Sequence, residues 1–276
     1  MKQQDFNSIK EISKLVRRDI VEMTHKAGTT GAHIGGSLSC VEIMTVLYGM
    51  VLQYNKDNMD SPDRDRLIFS KGHAAMTLYS VLYRFGIMSK KEFNSFKEDG
   101  SYIASHPHME PKLGIEFSTG SLGIGLSQGV GMALGLRIKD NTKPHIYIFQ
   151  GDGECEEGSV WEAAMSASNY KLDNIILVID KNELQLDGRV DDIMSLGDLS
   201  AKWKSFGWNV IMADGHDELS LCSAFHQAET TTNGLPTVII AKTIKGKGIS
   251  FIENQPQWHV AMLSEKLYHK AIEELR

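Results

Sequence analysis

His145-Ile146-Tyr147-Ile148-Phe149 runs into Gly151-Asp152-Gly153, and farther along Asn174-Ile175-Ile176-Leu177-Val178-Ile179-Asp180 runs into Lys181-Asn182. Neither run alternates apolar with polar residues. Continuous Ile/Val/Leu stretches suit strands buried on both faces, the condition of a parallel sheet covered by helices. Leu67-Ile68-Phe69, Trp208–Met212 and Pro236–Ala241 read as further strands. Helical stretches are predicted near 73–85, 125–139, 159–171, 198–207 and 217–231, between or beside these strands. The resulting βα rhythm predicts an α/β fold, a doubly wound, mainly parallel sheet with helices on both faces.

Outward from this centre, Ile9, Ile12, Val16, Ile20 and Met23 have the three-and-four spacing of a helix that buries one face and stops at Gly28. Ser39-Cys40-Val41-Glu42 has the form of a capping box, predicting a helix from there to about Gln53. Glu265–Arg276 reads as a short helix capped by Ser264, which has the look of a finished terminus. No internal repeat, low-complexity tract or Pro/Ser linker interrupts the chain, so residues 1–276 are expected to form a single domain.

The 276 residues are 42% hydrophobic and 23% charged, a globular composition rather than a disordered or fibrous one. Acidic residues number 35 against 29 basic, for a net charge of −6, and no basic block breaks the pattern. Nucleic acid and anionic membranes are therefore not expected partners. The start, Met1-Lys2-Gln3-Gln4-Asp5, is polar and opens no apolar leader. No run approaches the ~18 apolar residues of a membrane span, and a cytoplasmic location is expected. Cys40, Cys155 and Cys222 show no metal-ligand spacing and read as incidental thiols.

The two strand ends carry the chemistry. Ligands of open parallel sheets bind outside the carboxyl ends of the strands, where Gly151-Asp152-Gly153 and Asp180-Lys181-Asn182 can face one crevice. An Asp carboxylate, an Asn amide oxygen and backbone carbonyls are hard oxygen donors suited to Mg²⁺, with phosphate oxygens and water completing the octahedron. Glycines let the backbone approach a phosphate, and a helix starting near Ser159 can add N–H groups and a favourable dipole. A lone G-D-G is more often a tight turn with Asp as a helix cap. The second strand-tip Asn favours a Mg²⁺-diphosphate site.

Histidines sit beside backbone-permissive residues in three stretches, Gly31-Ala32-His33-Ile34-Gly35-Gly36, Ser70-Lys71-Gly72-His73-Ala74 and Ser105-His106-Pro107-His108. Imidazoles near neutrality can donate to a developing alkoxide or shuttle a proton. Between them and the metal-type loop lies Ser118-Thr119-Gly120-Ser121-Leu122-Gly123-Ile124-Gly125, which opens a helix.

In this order the motifs resemble the amino-terminal, diphosphate-binding domain of the transketolase family, from about residue 10 to about residue 262. The resemblance implies a thiamine-diphosphate-binding fold with thiamine diphosphate and Mg²⁺, or Ca²⁺ or Mn²⁺ in its place. It implies that Asp152, Asn182 and the Leu184 carbonyl bind the metal. His33, His73, His106 and His259 would line the cofactor and donor-sugar channel as catalytic groups. His33 and His259 would act on oxyanions and protons at the ketose carbonyl, His73 would lie beside the diphosphate and reactive ring, and His106 would meet the donor's first hydroxyls. Gly120, Leu122, Gly153, Glu154 and Lys245 would lie against the cofactor, together with His73, Asp152, Asn182 and His259. Glu157 and Glu162 fall where the family uses acidic residues to link subunits, although a first helical turn favours Glu in any case.

Two departures stand out. The family's Gly-His-Pro around the first histidine is here Ala32-His33-Ile34, which bears on the fit of the donor. The chain also ends at Arg276, without the domain that supplies the activating Glu and the aromatic residues around the cofactor's pyrimidine. The resemblance therefore implies the N-terminal subunit of a split transketolase. Its partner chain would carry the pyrimidine-binding and C-terminal domains, in an assembly of two copies of each chain. The expected reaction moves a two-carbon ketol unit from a ketose, or its phosphate, to an aldose, or its phosphate. A subunit resembling deoxyxylulose-phosphate synthase, a ketol transferase for unusual sugars and a non-catalytic binding subunit stay open as alternatives.

Overall fold

Strands β1 (Arg66–Phe69), β2 (Ile146–Gly151), β3 (Ile175–Lys181), β4 (Asn209–Asp214) and β5 (Thr237–Lys242) form one sheet in the order β1-β2-β3-β5-β4, every neighbouring pair parallel. The computed structural model describes residues 6–276, so the opening stretch Met1-Lys2-Gln3-Gln4-Asp5 lies outside the described residues. Successive strand residues point to opposite faces. Tyr147, Phe149, Ile176, Val178, Ile239 and Ala241 enter one hydrophobic core, while Ile146, Ile148, Ile175, Leu177, Ile179, Val238 and Ile240 enter another on the opposite face. Two cores, one on each face, are the physical reason these runs carry no polar alternation. The architecture is the doubly wound α/β fold expected.

The helices are α1 (Phe6–Lys26), α2 (Ile34–Leu38), α3 (Val41–Val46), α4 (Ala75–Arg84), α5 (Lys90–Asn94), α6 (Gly125–Ile138), α7 (Gly158–Asn169), α8 (Val190–Met194), α9 (Leu199–Ser205), α10 (Glu218–Thr230) and α11 (Glu265–Glu274). The first core is closed by α1 to α4, α10 and α11, the second by α6, α7 and α9. On α1, Ile9, Val16 and Ile20 are completely buried, as their spacing predicts. Full burial of each such side chain stabilises by roughly 1.5–3 kcal/mol. In α11 the Ser264 side chain accepts a hydrogen bond from Leu267 N, the cap expected. Among the described residues no helix is long and apolar enough to cross a membrane.

One local prediction fails. The Ser39–Glu42 capping box does not form: Cys40 occupies the N-cap of α3, without a side-chain cap. Ser39 Oγ turns instead to Gly36 O (2.9 Å) and the Asp180 carboxylate. Glu42 is taken by Arg17 (2.8 Å) and His216 (3.0 Å). A buried carboxylate and a buried ammonium next door outweigh a cap that would sit away from water. The helix itself does run almost to Gln53, but after Val46 its backbone widens into a π-helix over Leu47–Val51. A complete capping box does occur at Ser89 and Glu92, opening α5, a helix not among those predicted above.

Candidate active site

β2 and β3 are neighbours, and their register sets Gly151 opposite Asp180. Their extensions therefore meet at the carboxyl edge, with Asp152 N donating to Asp180 O at 3.2 Å. Asp152 Oδ1 accepts from Gly153 N (2.9 Å) and Oδ2 from Glu183 N (2.6 Å). Asn182 Oδ1 accepts from Leu184 N at 3.0 Å, while its Nδ2 donates toward Asp180 at 3.4 Å. Each of these acceptor oxygens keeps a lone pair for a further partner. Asp152 and Asn182 are both buried at the strand tips. Burial, then the nearby Asp180 charge, pushes Asp152 up to about 6. A divalent cation would relieve that repulsion, so one carboxylate, one amide oxygen and one carbonyl form a donor set that fits Mg²⁺.

Every catalytic, cofactor and metal residue predicted from the sequence lines one cleft of about 270 Å³: His33, His73, His106, His259, Gly120, Leu122, Asp152, Gly153, Glu154, Asn182, Leu184 and Lys245. Glu154, expected against the diphosphate, has a further part. Its carboxylate accepts from Gly123 N (2.9 Å), from Gly151 N (3.2 Å) and from the Ser70 hydroxyl. One buried side chain thus ties together the ends of β1 and β2 and the Gly-rich loop. At Gly120, φ is +137° and an added Cβ would fall 2.9 Å from the His106 ring, so loop and histidine approach as only glycine permits.

The four histidines come from distant parts of the chain. His73 lies on the turn after β1, and His106 on a loop pinned where Thr119 N donates to Pro107 O at 3.1 Å. His33 and His259 are drawn together by a two-bond bridge, Ala32 N to Ala261 O and Ala261 N to Ala32 O, each 3.0 Å. Ring centroids of His33 lie 5.6 Å from His73, 5.4 Å from His106 and 5.4 Å from His259. Burial, with neighbouring charges, lowers His33 to about 4 and His259 to about 3, and lowers His73 and His106 as well. The cluster is neutral, and each ring has one donor and one acceptor. His108, next in the sequence motif, does not line the cleft.

The sequence reading missed the charges beneath the cleft. The buried ammonium of Lys71 reaches Gly36 O (2.9 Å), Ser39 Oγ (3.2 Å) and the Asp180 carboxylate. Burial opposes its charge, but the Asp180 carboxylate prevails and holds the Lys71 pKa up. Asp180 also receives the hydroxyl of Thr243, which starts the loop that carries Lys245. The signal is present: Lys71 lies in the motif that carries His73, and Asp180 follows five apolar residues of β3.

Lys245 Nζ meets Leu184 O (3.2 Å), Gln185 O (3.0 Å) and His259 Nδ1 (2.9 Å). The Leu184 carbonyl expected to bind metal is thus shared with an ammonium. Burial, then the neighbouring Lys71, lowers Lys245 to about 8. Its loop is clamped from behind. Arg17 donates from Nη2 to Glu42 (2.8 Å) and from Nε to Lys247 O (3.1 Å). His216 Nε2 accepts from Ile244 N at 2.8 Å, so its proton is on Nδ1, which donates to Glu42 at 3.0 Å.

Glu157 and Glu162 are outside the cleft and exposed, on the flank of α7. Beside them Ile124 and Met165 are also exposed, at 46% and 55%, and the buried Oε1 of Gln128 has no hydrogen-bond partner among the described residues.

The chain is similar to known proteins. One subunit of the apulose-4-phosphate transketolase of Phocaeicola vulgatus is 38% identical over 259 residues, covering 94% of this chain and 90% of that protein. The 6-deoxy-6-sulfo-D-fructose transketolase subunit of a Clostridium species is 39% identical over 263 residues, covering 95% and 94%. The crystal structure of Campylobacter jejuni transketolase matches with a TM-score of 0.89 and 31% identity over 99% of this chain, which spans 43% of that longer protein. The family model for the thiamine diphosphate binding domain of transketolase matches residues 7–275, and with that extent of agreement the chain belongs to the transketolase family.

Proposed function

We propose that the chain is the diphosphate-binding, N-terminal subunit of a two-chain transketolase, a transferase that moves a two-carbon ketol unit from a ketose to an aldose. The observation that carries this reading is the meeting, in one cleft, of the Asp152–Asn182 oxygen donors with four neutral histidines. Asp152, Asn182 and the Leu184 carbonyl would hold Mg²⁺, or Ca²⁺ or Mn²⁺, and through it the diphosphate. When bound, thiamine diphosphate supplies the electron sink for cleaving the bond beside the ketose carbonyl. The chain's own part is placement, exclusion of water and proton transfer. His33 and His259 would stabilise oxyanions and move protons at the ketose carbonyl, and His106 would orient the first hydroxyls. Groups so placed contribute roughly 10²–10⁴-fold each. Gly120, Leu122, Gly153 and Lys245 would lie against the cofactor.

The chain acts as one diphosphate-binding domain. Its partner chain would bring the pyrimidine-binding half, covering the face around Ile124, Met165, Glu157 and Glu162, in an assembly of two copies of each chain. A cytoplasmic setting suits the free thiols of Cys40, Cys155 and Cys222. Relatives named for apulose 4-phosphate and for 6-deoxy-6-sulfo-D-fructose make these sugars, beside the pentose phosphates, substrates to test.

The test is co-purification from the native cells, followed by assay of the complex with thiamine diphosphate and Mg²⁺. Two-carbon transfer by the complex, with none from the 276-residue chain alone, is expected. Turnover by the chain alone, or a complex that binds no thiamine diphosphate, refutes the reading.

A further inference from the structure

The imidazole of His259 is engaged on one side and open on the other. Lys245 Nζ lies 2.9 Å from His259 Nδ1, and the same nitrogen lies 3.0 Å from Gln185 O and 3.2 Å from Leu184 O. An ammonium has three N–H donors and no acceptor. Two of its donors go to carbonyls, which can only accept, and the third leaves Nδ1 no role but acceptor. A neutral imidazole whose Nδ1 accepts carries its proton on Nε2. We infer that Lys245 is a positioning residue that sets the tautomer of His259, so that the ring presents Nε2–H to the cleft as a hydrogen-bond donor.

Three further observations support this assignment. Among the described residues Nε2 of His259 has no hydrogen-bond partner, while the ring centroid stands 5.4 Å from His33 and 5.2 Å from His73. Burial, then the Lys245 charge, keeps the ring neutral, with its pKa at about 3, so a single tautomer is a meaningful state. The lysine is not free to wander. Its own carbonyl accepts from Asn254 N at 2.9 Å, and the adjacent Gly246 N donates to Gly35 O at 2.9 Å. Ile244 and Lys247 on either side are held by His216 and Arg17.

A fixed N–H aimed into the cleft suits an oxygen that gains negative charge during reaction. The opposite tautomer would present a lone pair there and repel it. Lys245 thus acts through His259 in addition to its place beside the diphosphate. The use of Nε2–H at a ketose oxygen rests on the proposed function; the tautomer itself does not.

The test is ¹⁵N nuclear magnetic resonance of the full chain labelled at histidine, with His259 assigned by its loss in His259→Gln. A single Nε2–H pattern is expected in the native chain and in Lys245→Arg, which keeps a donor. In Lys245→Met a second tautomer should appear and the Nδ1 resonance should shift. An Nδ1–H pattern in the native chain overturns the inference even if the methionine variant does not fold. So does a His259 spectrum unchanged by Lys245→Met. In the assembled enzyme at saturating cofactor, Lys245→Met should lower kcat about 10–100-fold, less than the roughly 10²–10³-fold cost of removing an oxyanion donor outright, with donor KM little changed. A native kcat there overturns the catalytic use. If the tautomer is as assigned but no complex transfers a ketol unit, the proposed function alone falls.

Discussion

Glu42→Gln tests whether the clamp behind the Lys245 loop is held by charge. In the folded chain burial opposes ionisation of Glu42, yet the hydrogen bond from His216 and the Arg17 charge prevail and hold its pKa down to about 2, from an ordinary 4.5. That difference corresponds to about 3 kcal/mol of stability at neutral pH. A depressed carboxylate contributes fully above its unfolded pKa and loses the contribution as pH falls through the folded one. The gap between native chain and Glu42→Gln should therefore be about 3 kcal/mol at pH 7 and about 2 kcal/mol at pH 3.5. Urea unfolding followed by tryptophan fluorescence at both pH values measures it. Because Arg17 and His216 also hold Lys247 O and Ile244 N, the variant should bind thiamine diphosphate more weakly as well. A gap below about 1 kcal/mol at pH 7, or one that does not change with pH, would refute the reasoning.

Asp152→Asn should move stability and binding in opposite directions. The folded pKa of about 6 means that stability falls as pH rises from 3.8 through 6, so at pH 8 the amide should raise stability by up to about 3 kcal/mol. Calorimetry should show Mg²⁺-dependent cofactor binding weakened by more than about tenfold, and unchanged binding would remove Asp152 from the metal site. Lys71→Met leaves the Asp180 carboxylate buried without its cation, at a cost of about 3–5 kcal/mol in denaturant unfolding. The double variant Lys71→Met/Asp180→Asn should recover part of that loss; no recovery would show that the two do not act as a pair.

The central sheet was legible because its strands are buried on both faces, which leaves an unbroken Ile/Val/Leu signal at β2 and β3. Asp152, Asn182, His33, His73 and His106 were legible in short motifs at strand ends and Gly-rich turns, whereas His259, Lys245, Leu122 and the Leu184 carbonyl came only with the family resemblance. Long-range polar pairing was not. Lys71 and Asp180 are 109 positions apart, and no local periodicity connects them. The same blindness explains the mistaken cap at Ser39. Its local pattern is a good one, and only the three-dimensional neighbourhood of Asp180 gives the hydroxyl a better partner. Strand order was equally hidden, since β5 inserts between β3 and β4 through a crossover that neighbouring sequence does not announce.

The bridge between Ala32 and Ala261 has a consequence for biosynthesis. The loop with His33 emerges from the ribosome early, yet the backbone groups that hold it belong to a segment translated after all five strands. Lys245 and His259 are translated late as well. A chain still in synthesis can thus complete its sheet and most of both hydrophobic cores while the cleft lacks one wall. Competence to take up a cofactor arrives only after the last strand has been made, when two distant parts of the sequence are stitched together.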